Sequence, residues 1–174
     1  MQAKAPRLRE LRGREAKRLE EFAKGLGVNL SAIARRPMAL EVPEGEYVDV
    51  FDVPSYVEAA LGSIGSAYAA GYYLGFIDKD GFHPGLTLAQ RLERLCFTAI
   101  DCIVLDEWGT KVFLYGKEVY GDHIIKFREG LAVVLDPSLE SIGWGVGARI
   151  TLKTRHLTKV EPVKDLGWYL RRGG

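Results

Sequence analysis

The sequence predicts an α+β protein, with a mixed α/β N-terminal domain over residues 1–108 and a small β barrel over residues 109–174. Three observations carry this. Candidate helices and strands of the first part follow one another without the regular βαβα alternation of a doubly wound sheet. The polar run Asp106-Glu107-Trp108-Gly109-Thr110 then interrupts the apolar pattern. After it come short β-like segments separated by turn residues, as a small barrel requires.

In order, Leu8, Leu11, Leu19, Phe22, Ala23 and Leu26 recur at helical spacing, so one amphipathic helix is expected from Arg7 to about Leu26, ending near Gly25 or Gly27. Its many arginines and lysines read either as a solvated face or as an auxiliary nucleic-acid contact. Asn29 to Arg36 reads as a helical turn closed before Pro37. Met38 to Val42 and Glu46 to Phe51 suit strands joined by the turn Pro43-Glu44-Gly45. Pro54 opens a short helix with Val57, Ala60, Leu61 and Ile64 on it. Gly71 to Ile77 suits a strand, Asp78 to Gly81 a turn, Leu86 to Leu95 a helix and Phe97 to Leu105 another strand. Beyond the break, strands are expected at Lys111 to Tyr115, Leu131 to Leu135, Gly145 to Leu152 and Leu157 to Val160. The turns Asp136-Pro137-Ser138 and Ser141-Ile142-Gly143 separate them, and a helical turn closes the chain over Asp165 to Arg172.

Composition narrows the function classes. A hydrophobic content of 47% with 27% charged residues is that of a globular chain rather than a disordered one. No apolar run is long enough to span a bilayer and no secretory leader pattern is present, so a cytoplasmic location without membrane partners is expected, nucleolar in a eukaryotic source. Cys96 and Cys102 lack further cysteines or a histidine at zinc spacing, and buried packing is expected of both. His83, His123 and His156 are isolated along the chain, so no metal site is expected.

The net charge of +1 conceals a segregation: residues 1–36 carry ten Lys/Arg against four Asp/Glu, residues 37–106 three against eleven, and residues 107–174 eleven against eight. From Arg149 to the end, seven basic residues face two acidic ones. Within that stretch Arg149, Thr151, Lys153 and Arg155 are two apart, with Ile150 and Leu152 between them. On a β-strand this alternation puts the cations on one face and the aliphatics on the other, roughly 6.6 Å between successive same-face side chains. That spacing suits a row following a phosphodiester backbone. Arg149, Lys153 and Arg155 are the candidate RNA-binding residues of this stripe.

The sequence also resembles a known family, the Nip-seven ribosome biogenesis factors of archaea and eukaryotes, in its archaeal form. The residues that carry the resemblance are Ala23-Lys24-Gly25-Leu26-Gly27-Val28-Asn29-Leu30 with Arg36-Pro37, Gly71-Tyr72-Tyr73-Leu74-Gly75, Phe113-Leu114-Tyr115-Gly116 with Val119, Gly143-Trp144-Gly145-Val146, and Asp165-Leu166-Gly167-Trp168-Tyr169-Leu170-Arg171. The resemblance implies an α+β domain followed by a PUA pseudobarrel, and a non-enzymatic assembly factor of the large ribosomal subunit. Its implied partners are rRNA or pre-rRNA, with a preference for uridine-rich sequence, the pre-ribosomal particle and RNA-processing proteins. It implies no cofactor. The resemblance further implies RNA contact by a short basic run just after the glycine-containing strand, a region that Arg149, Lys153, Arg155 and, slightly beyond, Lys159 occupy here, although archaeal members tend to have two adjacent basic residues where this chain has Arg149-Ile150.

Other motifs weigh less. Gly143-Trp144-Gly145-Val146-Gly147-Ala148 fits G-x-G-x-x-A, but a dinucleotide site needs a helix N-terminus after it, and β-type alternation follows instead. Glycines there are read as bulges or close backbone approaches. Asp101 lacks the arginine-leucine surroundings of a pseudouridine synthase aspartate and is read as structural, so no catalytic residue is expected. Trp144, Trp168 and Tyr115 are read as core, with base stacking as the other role. The alternative function is an RNA-modifying enzyme component with a PUA targeting module. The acidic stretch 37–106 also reads as a docking surface for a basic protein partner.

Overall fold

The computed structural model describes residues 6–41, 45–64, 67–167 and 171. It divides into two compact units, Met1–Leu88 and Ala89–Gly174, and the division falls ahead of the boundary expected at 108/109. The difference arises because Ile103–Leu105 is a strand of the C-terminal sheet, hydrogen-bonded to later strands on both sides.

The first unit is built on a five-stranded antiparallel meander of β1 (Arg7–Glu10), β2 (Pro37–Glu41), β3 (Val48–Asp52), β4 (Tyr72–Ile77) and β5 (Phe82–Pro84). Helix α1 (Gly13–Leu26) and the turn α2 (Leu30–Ile33) lie between β1 and β2, and α3 (Ser55–Ile64) between β3 and β4. The single helix expected from Arg7 is therefore a strand and a helix. Leu8 faces Leu40 across the β1–β2 ladder and packs with Met38, Leu40 and Phe51, while the helical pattern resumes only after Gly13. A charged bracket fixes the break. The Glu15 carboxylate accepts both Arg9 guanidinium N–H groups at 2.7 and 2.8 Å and the Arg12 backbone N–H at 2.7 Å, and Arg9 also donates to Glu41 on β2 at 2.9 Å. At the other end Gly27, at φ 83°, closes α1 with bonds from Gly27 N–H to Lys24 and from Val28 N–H to Ala23.

The Arg9 guanidinium holds the Glu15 carboxyl below its ordinary value. The sign follows: the bracket contributes fully above the unfolded glutamate pKa of about 4.3 and is lost as pH falls through the lower folded value. Glu15→Gln should cost about 2 kcal/mol near neutrality and flatten the loss of stability below about pH 4, read from urea melts across pH. An unchanged acid limb would mean that the bracket is not what titrates.

The second unit opens inside α4 (Leu86–Leu92), which ends in a 3-10 turn at Glu93–Leu95. Its six strands are β6 (Ile103–Leu105), β7 (Val119–Tyr120), β8 (Ile124–Lys126), β9 (Gly130–Leu135), β10 (Ser141–Leu152) and β11 (Arg155–Asp165), in the order β7-β11-β10-β9-β6-β8. The two edge strands, β7 and β8, are joined by the three-residue turn Gly121–His123. That short link bends the sheet back on itself into a near-barrel. Ile103, Leu105, Phe113, Val119, Ala132, Val134, Ile142 and Val160 fill its core.

Several expectations are corrected here. Lys111 to Tyr115 belongs to a helix, α5 (Glu107–Leu114), because Asp106 caps it by accepting the Gly109 N–H at 2.6 Å. The polar run read as a boundary is this helix start. Phe97 to Leu105 is strand only from Ile103, and Cys96 and Cys102 form a disulfide rather than merely packing. The loop turns sharply at Phe97, φ 68°, which brings the two Cα atoms to 5.5 Å. Ser141 to Gly143 is the start of β10, not a turn. Trp168, Tyr169, Leu170 and Arg172, half of the expected C-terminal turn, lie outside the described residues, as do Val42, Pro43 and Glu44.

Candidate nucleic-acid interface

Strands β10 and β11 form the longest hairpin among the described residues, and its register decides where the candidate cations go. Arg149 pairs with Thr158, Thr151 with His156, Ile150 with Leu157 and Ala148 with Lys159. The Lys153-Thr154 turn reverses the chain, with Lys153 at φ 56°, the left-handed conformation that two-residue hairpin loops use. Because directly opposed residues share a face, Arg149 and Thr151 stand with His156 and Thr158. A hydrogen bond of 3.1 Å between Thr151 Oγ1 and His156 Nδ1 spans that face. Arg155, Leu157 and Lys159 alternate onto the other face, with Ile150.

The single cationic face expected from the period of two is thus corrected: Arg149 and Arg155 lie on opposite faces and Lys153 at the tip. The alternation was read through a reversal of the chain. Only the Arg149 to Thr151 part of it follows one strand.

The hairpin outruns the sheet that carries it. Strand β9 pairs with β10 only as far as Gly147, and β7 meets β11 only at Lys159 and Val160. Between these points Ala148–Leu152 and Arg155–Thr158 have no other neighbour among the described strands, and the hairpin runs on as a two-stranded ribbon. Its root is locked by glycines. A Cβ on Gly147 would lie 1.9 Å from the Arg128 carbonyl oxygen, and one on Gly143, at φ 147°, would lie 2.1 Å from that of Lys164. These are the close approaches expected of the glycine-rich stretch, and a β-bulge between Trp144 and Gly145 accompanies them. Trp144 is fully buried, so its reading as core holds.

The four cations differ in availability. Lys153 and Arg155 are exposed, with no ion-pair partner among the described residues. Arg149 lies 3.6 Å from Glu129 and 5.4 Å from the Phe127 ring. Both members of that ion pair are more than two-thirds exposed, so it contributes little and exchanges readily for a phosphate. Lys159 is committed elsewhere. Its ammonium donates to Glu118 at 2.6 Å and lies 3.7 Å from Glu161, and the Glu118 bond holds the lysine above its ordinary pKa and the carboxyl below its own. It anchors the ribbon's base to the turn before β7. Phe127 and Glu129, which flank Arg149, were invisible to the sequence pattern because they lie in the β8–β9 turn and come near Arg149 only through the β9–β10 pairing, not through spacing.

The remaining candidates resolve simply. On the N-terminal segment Arg9, Arg12 and Lys17 pair with glutamates, Arg36 with Glu58, and Arg18 donates to the carbonyls of Asp78 and Lys79. Much of that positive charge is therefore spent within the protein. Tyr115, expected in the core, is 69% exposed after α5, and Trp108 is 59% exposed. Asp101 is exposed and holds Lys126 at 3.4 Å. Among the described residues no three His, Cys, Asp or Glu side chains come together to hold a metal ion.

Comparison with known proteins gives a family and a fold. Residues 101–174 match the model of the UPF0113 PUA domain. A UPF0113 protein of Aeropyrum pernix is 39% identical over 168 residues, covering 97% of this chain and 94% of that one. Among solved structures, a conserved PUA domain protein from Thermoplasma acidophilum superposes with a TM-score of 0.54 at 14% identity, covering 96% of this chain and 99% of that one. A hypothetical protein from Pyrococcus horikoshii gives 0.56 at 12% identity, covering 94% and 99%. A PUA domain from Aeropyrum pernix in complex with tartrate gives 0.52 at 16%, covering 96% and 91%. At these identities the structures speak for the fold alone. The chain belongs to the UPF0113 family, and its C-terminal unit is that family's PUA domain.

Proposed function

We propose that this protein is a non-catalytic RNA-binding factor that takes part in assembly of the large ribosomal subunit and processing of its pre-rRNA, in the manner of the Nip-seven factors that its sequence resembles. PUA domains typically bind RNA, and the observation that carries the reading here is the ribbon. It holds exposed Lys153 and Arg155 at and beside its tip, with Arg149 restrained only by a solvent-exposed ion pair. Phosphate contacts from these three residues supply affinity, and the neighbouring Thr151 and His156 offer hydrogen bonds to sugar or base. Lys159, paired with Glu118, positions the ribbon rather than binding RNA. Among the described residues no helix is long and apolar enough to cross a membrane.

Crosslinking of the tagged protein in cells, followed by mapping of the RNA, tests the reading. Recovery of large-subunit pre-rRNA with crosslinks at the ribbon is expected. Recovery of no ribosomal RNA would overturn the assembly role.

A further inference from the structure

We infer that the ribbon recognises RNA whose two backbones flank a gap, specifically a duplex whose major groove is opened by a bulge or internal loop. The inference rests on the RNA-binding reading and specifies the ligand's shape. Arg149 projects from one broad face of the ribbon and Arg155 from the other, with Lys153 at the end between them. Among the described strands, none neighbours either edge of the ribbon along Ala148–Leu152 and Arg155–Thr158. A single strand lying on one face would meet Arg149 or Arg155, not both.

The groove dimensions decide between duplex forms. A ribbon bearing side chains on both faces is about 10 Å thick, the packing thickness of a sheet. The wide, shallow minor groove of A-form RNA would again meet one face only. Its deep major groove has a backbone on each side, as the two arginines require, but in regular duplex it is too narrow to admit side chains. An interruption that widens it lets the tip enter with one guanidinium toward each backbone. Thr151 and His156 then line the Arg149 side, while Ile150 and Leu157 stiffen the other.

The test uses the full chain and three labelled RNAs: a uridine-rich single strand, an uninterrupted duplex, and the same duplex with a central bulge. The bulged duplex is expected to bind about fivefold or more tightly than the others at physiological salt, the effect of one additional phosphate contact. On it, Arg149→Ala and Arg155→Ala should each reduce the slope of log K against log salt by about 0.9, while Arg149→Lys and Arg155→Lys should leave the slope in place. On the single strand only one of the two alanine changes should matter. Equal or tighter binding of the single strand, with only one arginine contributing on every RNA, would overturn the proposal and leave RNA binding by the hairpin standing. Failure of all three RNAs to bind would overturn the RNA-binding reading and this inference with it.

Discussion

The triple variant Arg149→Ala, Lys153→Gly, Arg155→Ala should bind pre-rRNA segments roughly fifty-fold more weakly than the parent at physiological salt. The figure follows from three lost phosphate contacts, each contributing about 0.7 to 0.9 to the slope of log K against log salt. The parent slope should accordingly lie between about −2 and −3, and that of the variant near zero. Glycine rather than alanine is chosen at residue 153 because its φ of 56° disfavours a β-carbon, so charge is removed without added backbone strain. All three side chains are exposed, and the thermal transition should hardly move. Fluorescence anisotropy across a salt series reads the result. Retained affinity with an intact slope would move the RNA site away from the hairpin.

The second large effect is on stability. Trp144→Ala should cost about 3–5 kcal/mol, because a fully buried tryptophan leaves a cavity that the sheet around it can close only in part. Domains of this size have about 5–15 kcal/mol in all, so the loss is a large share. Strand β10 carries Trp144 within the sheet and Arg149 beyond it, so loosening one end should release the other. RNA affinity should fall with the folded fraction, and denaturant melts of the variant would show it. A variant as stable as the parent would contradict the packing.

How much of this was legible in the sequence depends on the kind of signal. Gly27 as the end of a helix, the turn at Asp78 to Gly81, the strand Leu131 to Leu135 and the burial of Trp144 each follow from local chemistry or hydrophobic pattern and were readable. Leu8 was misread because a leucine three residues before another looks helical until the long-range bracket of Arg9, Glu15 and Glu41 is known. Val112, Phe113 and Leu114 were too short a run to distinguish strand from helix by period, and the cap at Asp106 decided it. The Cys96–Cys102 bridge closes a loop that a search for paired frameworks passes over. At the candidate site, residue type was legible and direction was not. Arg149, Lys153 and Arg155 stand out by charge, but a reversal at a lysine in the left-handed region, with no glycine or asparagine to mark it, hid the change of face. Lys159 looked equivalent because Glu118 approaches it only through the β7–β11 pairing.

The unpaired ribbon also bears on self-association. Two strand edges without neighbours among the described strands offer backbone N–H and C=O groups to any passing strand, including the same ribbon on another molecule. Repulsion between like charges at Arg149, Lys153 and Arg155 opposes such pairing, as lysines do on exposed sheet edges elsewhere. The residues assigned to binding therefore act as gatekeepers when no RNA is bound, and anything that neutralises them removes a barrier to self-association as well as a ligand contact.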